Sequence, residues 1–110
     1  METMKRTEFM KLIEDCQMPD KFDQKLLDEA STMMKKWGDG LVHVGADKEH
    51  LFKSFGLTDK AEDSEATKKE KAALRCIASK MFKSEIRKEN AVGIMKNLNG
   101  LNGPGFRWLE

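Results

Sequence analysis

The stretch DKFDQKLLDEASTMMKKWG, residues 20–38, carries the clearest helical pattern in this sequence of 110 residues. Its apolar residues recur at steps of three and four, which places them on one face of a helix for four turns. They are Phe22, Leu26, Leu27, Ala30, Met33, Met34 and Trp37. Asp20 is a suitable N-cap, and the glycine after the last turn fits a helix end. The pattern predicts an amphipathic helix with Leu27, Met34 and Trp37 buried.

Four further segments show helical spacing of apolar residues, at 7–18, 47–55, 68–89 and 90–98. The chain contains only two prolines, which favours helices. The acidic stretch 58–67 fits either a loop or the beginning of the long helix, because acidic residues suit a helix N-terminus. The sequence therefore predicts at least two long helices and two or three shorter ones.

These elements predict an all-α fold, a small single-domain bundle or orthogonal array of four to five helices. We expect residues 1–99 to form the helical domain, with an extended connector at 41–44. Residues 100–110 form a Gly/Asn-rich tail, whose final Leu109 and Glu110 are typical of a cloning scar.

Composition limits the class of protein. Charged residues make up 35% of the chain, and no apolar run approaches the roughly 18 residues of a membrane span. Because Cys16 and Cys76 are the only cysteines, and both fall on apolar helical positions, we expect reduced thiols in a cytoplasmic protein. A redox or metal-binding pair is the alternative. Eight methionines are typical of adaptable cores and binding surfaces.

Positive charge is concentrated in the second part of the chain. Residues 1–67 have a net charge of −5 and residues 68–110 of +6. Within the predicted long helix, the spacing of four cations places their side chains on one side of the helix. They are Lys69, Lys80, Lys83 and Arg87. Clustered cations on a rigid element suit phosphate recognition, so this basic stripe predicts a nucleic-acid surface. An ordinary solvated helix face is the alternative.

The sequence contains only weak matches to a metal-binding motif and a DNA-binding motif. Asp59, Asp63 and Glu70 match three positions of a calcium loop. Three other positions fail, because Ala61, Ser64 and Ala66 replace a ligand, the turn glycine and an apolar residue. A helix-turn-helix at 55–61 would place acidic residues where phosphates must approach. Neither pattern supports a site.

Catalytic motifs are also missing from the sequence. His43 and His50 flank Asp47, but there is no third histidine, no nucleophile motif and no phosphate-binding loop. We therefore predict that the protein is not an enzyme, binds no metal and carries no cofactor.

The tail supplies the last candidate contact, in the residues Phe106, Arg107 and Trp108. Tryptophan and arginine are enriched at binding hot spots. The leading interpretation is therefore a small intracellular interaction module that binds a protein partner, such as a regulator, inhibitor or assembly factor of bacterial or viral type. A nucleic-acid-binding protein that uses the basic stripe is the alternative.

Overall fold

A computed structural model describes residues 5–36, 52–84 and 86–100. Over these ranges the chain is helical and contains no strand, which confirms the predicted all-α class. The elements are α1 (Arg6–Leu12), α2 (Gln24–Lys35), α3 (Glu65–Lys83), α4 (Lys88–Lys96) and a 3-10 helix (Leu98–Gly100). None of the helices in the described ranges is both long enough and apolar enough to cross a membrane.

Helix α2 confirms part of the core face predicted from its sequence. Leu27, Ala30 and Met34 have no exposed surface, whereas Trp37 lies outside the described residues. The helix begins later than Asp20, because the Asp23 carboxylate accepts a hydrogen bond of 3.1 Å from the Lys25 backbone N–H and caps it there.

Helix α3 differs from its predicted bounds at both ends. Ser64 caps the start by accepting a hydrogen bond of 3.1 Å from the Thr67 backbone N–H, so the acidic stretch is a loop up to Ser64 and a helix after it. The helix ends at Lys83, not at residue 89. There, the Ser84 hydroxyl donates a hydrogen bond of 2.9 Å to the Met81 carbonyl oxygen. The core face of the helix includes Leu74, Ile77, Ala78 and Met81, all buried.

The shorter helices also begin at other residues than predicted. Lys5 occupies the N-cap position of α1, two residues before the predicted segment 7–18, and Arg87 occupies that of α4, three residues before the predicted segment 90–98. Apolar residues of every element meet in one core. Its fully buried members include Phe9, Leu27, Leu74, Ile77 and Ile94.

The prediction of two reduced thiols is wrong. Cys16, just after α1, and Cys76, in the middle of α3, form a disulfide with a Cα–Cα distance of 5.8 Å. The packing of Phe9 and Ile13 into the core brings the end of α1 against α3 and so places the two cysteines within bonding reach. Their separation of 60 positions hides this proximity in the sequence.

A single side chain joins the 3-10 helix to the start of α2. The Asn99 amide oxygen accepts a hydrogen bond from the Phe22 backbone N–H, and its nitrogen donates one to the Phe22 carbonyl oxygen, both at 2.8 Å. Gln24 donates a further hydrogen bond of 3.1 Å to the Lys96 carbonyl oxygen. This Asn99 clasp fixes α4 and the 3-10 helix beside α2, against which α4 packs.

Candidate functional site

A groove of about 430 Å³ runs between α2 and the turn that follows the helical residues 52–54. Leu26 and Met33 of α2 form one wall, and Phe55 lies opposite them. Gly56 adopts φ +73°, the left-handed conformation that favours glycine, and so turns the chain away at the groove. We call this surface the apolar groove.

The two sides of the apolar groove differ in burial. Phe55 is buried and its ring lies 6.1 Å, between centroids, from the ring of Phe82 on α3. Met33, in contrast, is 40% exposed. A methionine side chain has three rotatable bonds and adapts to different partners. The groove therefore presents the adaptable thioether of Met33 opposite a buried aromatic ring.

Sequence reasoning placed Leu26 and Met33 on the core face and missed this groove. The doublets Leu26-Leu27 and Met33-Met34 put apolar residues on two adjacent rows of the helix. One row, Leu27 and Met34, is fully buried, while the other lines the groove. The width of this apolar stripe was the sequence feature that could have indicated the groove.

Negative charge borders the apolar groove. Asp28 and Glu29 line it together with one cation, Lys53. Leu26, Glu29 and Gly56 also line a polar cavity of about 300 Å³, which continues towards α3. Its acidic residues are Asp23, Glu29, Glu62, Asp63 and Glu70, against the cations Lys25, Lys60 and Lys71. The whole surface from Met33 to α3 therefore carries a net negative charge.

Lys71 is the buried cation at the far end of this surface. Only 4% of the residue is exposed, and its ammonium group donates hydrogen bonds to Asp63 at 2.5 Å and to the Thr58 carbonyl oxygen at 3.1 Å. The hydrogen bond from Lys71, followed by the one from the Lys60 backbone N–H, lowers the pKa of the Asp63 carboxyl group. Lys71 thus holds the loop before α3 rather than a ligand.

Arg75 ties the same loop one turn further along α3. Its guanidinium donates hydrogen bonds to the Leu57 carbonyl oxygen at 2.6 Å and to Asp59 at 3.3 Å. Asp59 and Asp63, which partly matched a calcium loop, therefore pair with cations of α3. Within the part of the chain that the structure describes, no three His, Cys, Asp or Glu residues are grouped to hold a metal ion.

The basic stripe is not the continuous helical row that we predicted. Lys69, Lys80 and Lys83 lie on α3, but Arg87 lies beyond its end, at the N-cap position of α4. The prediction of one helix for all four residues is therefore wrong. Lys69, Lys83 and Arg87 are exposed.

An acidic residue also enters the stripe from another element. Asp15, after α1, accepts a hydrogen bond of 3.0 Å from the Lys80 ammonium group. That hydrogen bond is the largest cause of the lowered pKa of the Asp15 carboxyl group. Lys80 is therefore partly neutralised, contrary to the expectation of an uninterrupted row of cations.

A third surface feature lies beside the disulfide. This disulfide groove, of about 550 Å³, runs between the segment 15–19 and α3. Both cysteines line it, together with Lys69 of the basic stripe and the small side chains of Ala72 and Ala73. The groove brings the disulfide and an exposed cation to one surface.

Several predicted or considered residues lie outside the described ranges. They are Phe106, Arg107 and Trp108 of the tail and the group His43, Asp47 and His50. The role of the tail as a partner contact stays a prediction.

Comparison with known proteins gives no relative from which a role could be transferred. No protein-family model, no curated protein and no solved structure matches this chain. Proposals of function therefore depend on the grooves and charges described above.

Proposed function

We propose that this protein is a non-enzymatic interaction module that binds a protein partner in the apolar groove. The observation that carries the proposal is the exposure of Met33 beside Leu26 and Phe55, in a groove on the face of a regular helix. Apolar grooves of this kind receive amphipathic helices, which insert side chains spaced by three or four residues. A regulator, inhibitor or assembly factor would use such a surface.

The acidic border of the groove supports a partner that carries cations. Asp28 and Glu29 flank the apolar wall, and the acidic cavity extends the same charge towards α3. Complementary charges at the rim of an interface speed association and fix the orientation of the partner. A helix with apolar residues on one side and lysine or arginine beside them fits both features.

The test compares two methionines with similar exposure. Met33 is 40% exposed in the groove, and Met10 is 43% exposed on α1, away from it. A partner captured from the native host lysate, after nuclease treatment, is purified and titrated against Met33→Glu and Met10→Glu. We expect Met33→Glu to weaken binding at least about tenfold, the effect of losing a contact worth more than 1 kcal/mol. Equal affinities of the two variants would refute the groove.

The tail is a second predicted contact for the same partner. Phe106, Arg107 and Trp108 combine residue types that are enriched at hot spots. Deletion of residues 105–110 tests it. Unchanged stability with weaker partner binding would support an anchor, whereas loss of stability would show that the tail belongs to the fold.

Nucleic-acid binding is the alternative function, and the exposure of Lys69, Lys83 and Arg87 favours it. Binding to phosphates would weaken steeply as salt rises. A gel shift in low salt, repeated with Lys80→Glu combined with Lys83→Glu, measures this. Absence of any shift for the unmodified protein would remove this function.

The cytoplasmic location predicted from the sequence remains a proposal, and its premise of two reduced thiols does not hold. Disulfides persist mainly in oxidising compartments. Acid-quenched alkylation of thiols in host cells would show whether Cys16 and Cys76 are bonded where the protein works.

A further inference from the structure

We propose that the Cys16–Cys76 disulfide is a thiol–disulfide exchange site, which a dithiol reductant reaches in the folded protein through the disulfide groove. The disulfide lies in the wall of a surface groove of about 550 Å³, to which both cysteines contribute. On the α3 side, Ala72 and Ala73 precede Cys76. Their short side chains leave room for an incoming sulfur beside the bond.

The two cysteines differ in their exposure to solvent. Cys16 is 7% exposed and belongs to the core, whereas Cys76 is only partly buried and packs against the core from outside. Thiol–disulfide exchange requires attack of a thiolate on an accessible sulfur. The Sγ atom of Cys76 is therefore the atom attacked.

The exchange balances with a dithiol as the only co-reactant. One thiolate of the dithiol attacks Cys76 Sγ, forms a mixed disulfide and breaks the bond to Cys16, which leaves as a thiolate and takes a proton from water. The second thiolate of the dithiol then attacks the dithiol sulfur that is bonded to Cys76, and Cys76 leaves as a thiolate. The protein disulfide gains two electrons and two protons, and the dithiol becomes a disulfide.

The charges of the disulfide groove suit an anionic attacker. Lys69 lines the groove and is exposed, so its ammonium group attracts a thiolate. Asp15 also lines it, but Lys80 offsets its charge by a hydrogen bond of 3.0 Å. The cation is thus available at the entrance while the carboxylate is neutralised.

Exchange need not disturb the docking of α1. Phe9 is fully buried and Ile13 is 2% exposed, so the apolar contacts of α1 persist when the covalent link is cut. The reduced protein is therefore expected to stay folded, with its two thiols in the wall of the disulfide groove. A partner that carries a dithiol would in this way switch the protein between a linked and an unlinked state.

The first experiment asks whether the folded protein reacts. The purified, air-oxidised full chain is treated with dithiothreitol, and free thiols are counted by alkylation and mass spectrometry at increasing, non-denaturing urea concentrations. We expect a rate that is proportional to dithiothreitol and unchanged by urea. A rate that rises with urea in parallel with the unfolding equilibrium, or two free thiols before any reductant is added, would overturn the proposal.

A matched pair of variants tests the route of entry. Lys69 and Lys83 lie seven residues before and after Cys76 on α3, and both are exposed, but of the two Lys69 lines the groove. With the anionic thiol mercaptoethanesulfonate, we expect Lys69→Glu to slow exchange about two- to fivefold and Lys83→Glu to leave it unchanged. The adduct should map to Cys76. Equal rates for the two variants, or an adduct on Cys16, would reject this entry route.

Discussion

The two halves of α3 use the same kind of side chain in opposite ways. In the first half, Lys71 and Arg75 turn towards the loop before the helix and hold its carbonyl oxygens and carboxylates. In the second half, Lys80 meets one carboxylate from a distant segment, and Lys83 is exposed. Cys76 stands between the halves and carries the only covalent link to α1 within the described residues.

This difference shows that the position of a cation on a helix does not decide its role. The first half lies beside the loop that precedes the helix in sequence, so Lys71 and Arg75 donate hydrogen bonds to that loop. The second half carries Lys80, which pairs with Asp15 of the segment after α1. Lys69 of the first half is nevertheless exposed, so a cation of this helix is structural only where a returning segment supplies it with an acceptor.

The largest expected effect comes from cutting the link at the boundary between the halves. Replacing both cysteines, with Cys16→Ser and Cys76→Ser, opens a loop of 60 residues. The loss of this constraint on the unfolded chain predicts a fall in unfolding free energy of about 4 kcal/mol. Urea denaturation under oxidising conditions measures it. A fall below about 1 kcal/mol would mean that the disulfide constrains the unfolded chain far less than its loop length implies.

The second effect tests the structural half of α3. Lys71→Met keeps most of the buried stem but removes the donor to the Thr58 carbonyl oxygen and to Asp63. A part-buried carbonyl oxygen and a carboxylate lose their donor, so we expect the melting temperature to fall by about 10 °C. Thermal unfolding followed by circular dichroism measures the change. An unchanged melting temperature would show that the loop needs no tie to α3.

Acid titration sharpens the comparison between the two ion pairs. The pKa values of Asp63 and Asp15 are lowered in the folded state, so the folded protein binds fewer protons than the unfolded chain. The stability from both pairs is therefore present above the ordinary aspartate value of 3.8 and is lost as the pH falls through the lower folded values.

We expect Asp63→Asn to reduce this loss of stability at low pH more than Asp15→Asn does. The side chain of Lys71 is 5% exposed, whereas that of Lys80 is 34% exposed and better screened by solvent. Melting temperatures between about pH 7 and pH 2.5 would show the difference. A steeper remaining acid dependence in Asp63→Asn than in Asp15→Asn would reverse the ranking of the two pairs.

The smallest effect belongs to the surface half. Lys83→Met alters an exposed side chain in the last turn of α3. We expect a change in unfolding free energy below about 0.5 kcal/mol, measured in the same urea titrations. A loss as large as that of Lys71→Met would remove the distinction between the halves.

Much of the fold follows from local sequence. The row Leu27, Ala30 and Met34 predicts the buried face of α2, because helical periodicity is a local property. The break after Lys83 was not predictable in this way, since no proline or glycine lies between Ser84 and Arg87. Local signals therefore identified the helices better than their ends.

The features that define the grooves come from contacts between distant residues. Cys16 meets Cys76 across 60 residues, and Asp15 meets Lys80 across 65. Neither pair has a spacing that a sequence pattern could reveal, because tertiary packing alone brings the elements together. In contrast, Asp63 lies only eight residues before Lys71, within reach of sequence reasoning.

The Asn99 clasp has a consequence for the chemical ageing of the protein. Asn99 precedes Gly100, and deamidation at such a pair requires the glycine backbone nitrogen to attack the asparagine side-chain carbonyl. In the fold, the Gly100 N–H donates to the Asn97 carbonyl oxygen at 2.9 Å, and the Asn99 amide is held on both sides of Phe22. Folding thus protects Asn99 from deamidation, and each transient unfolding of the chain exposes it to this reaction. Once an aspartate forms there, the donor to the Phe22 carbonyl oxygen is gone, so the damaged molecule opens more often than an intact one.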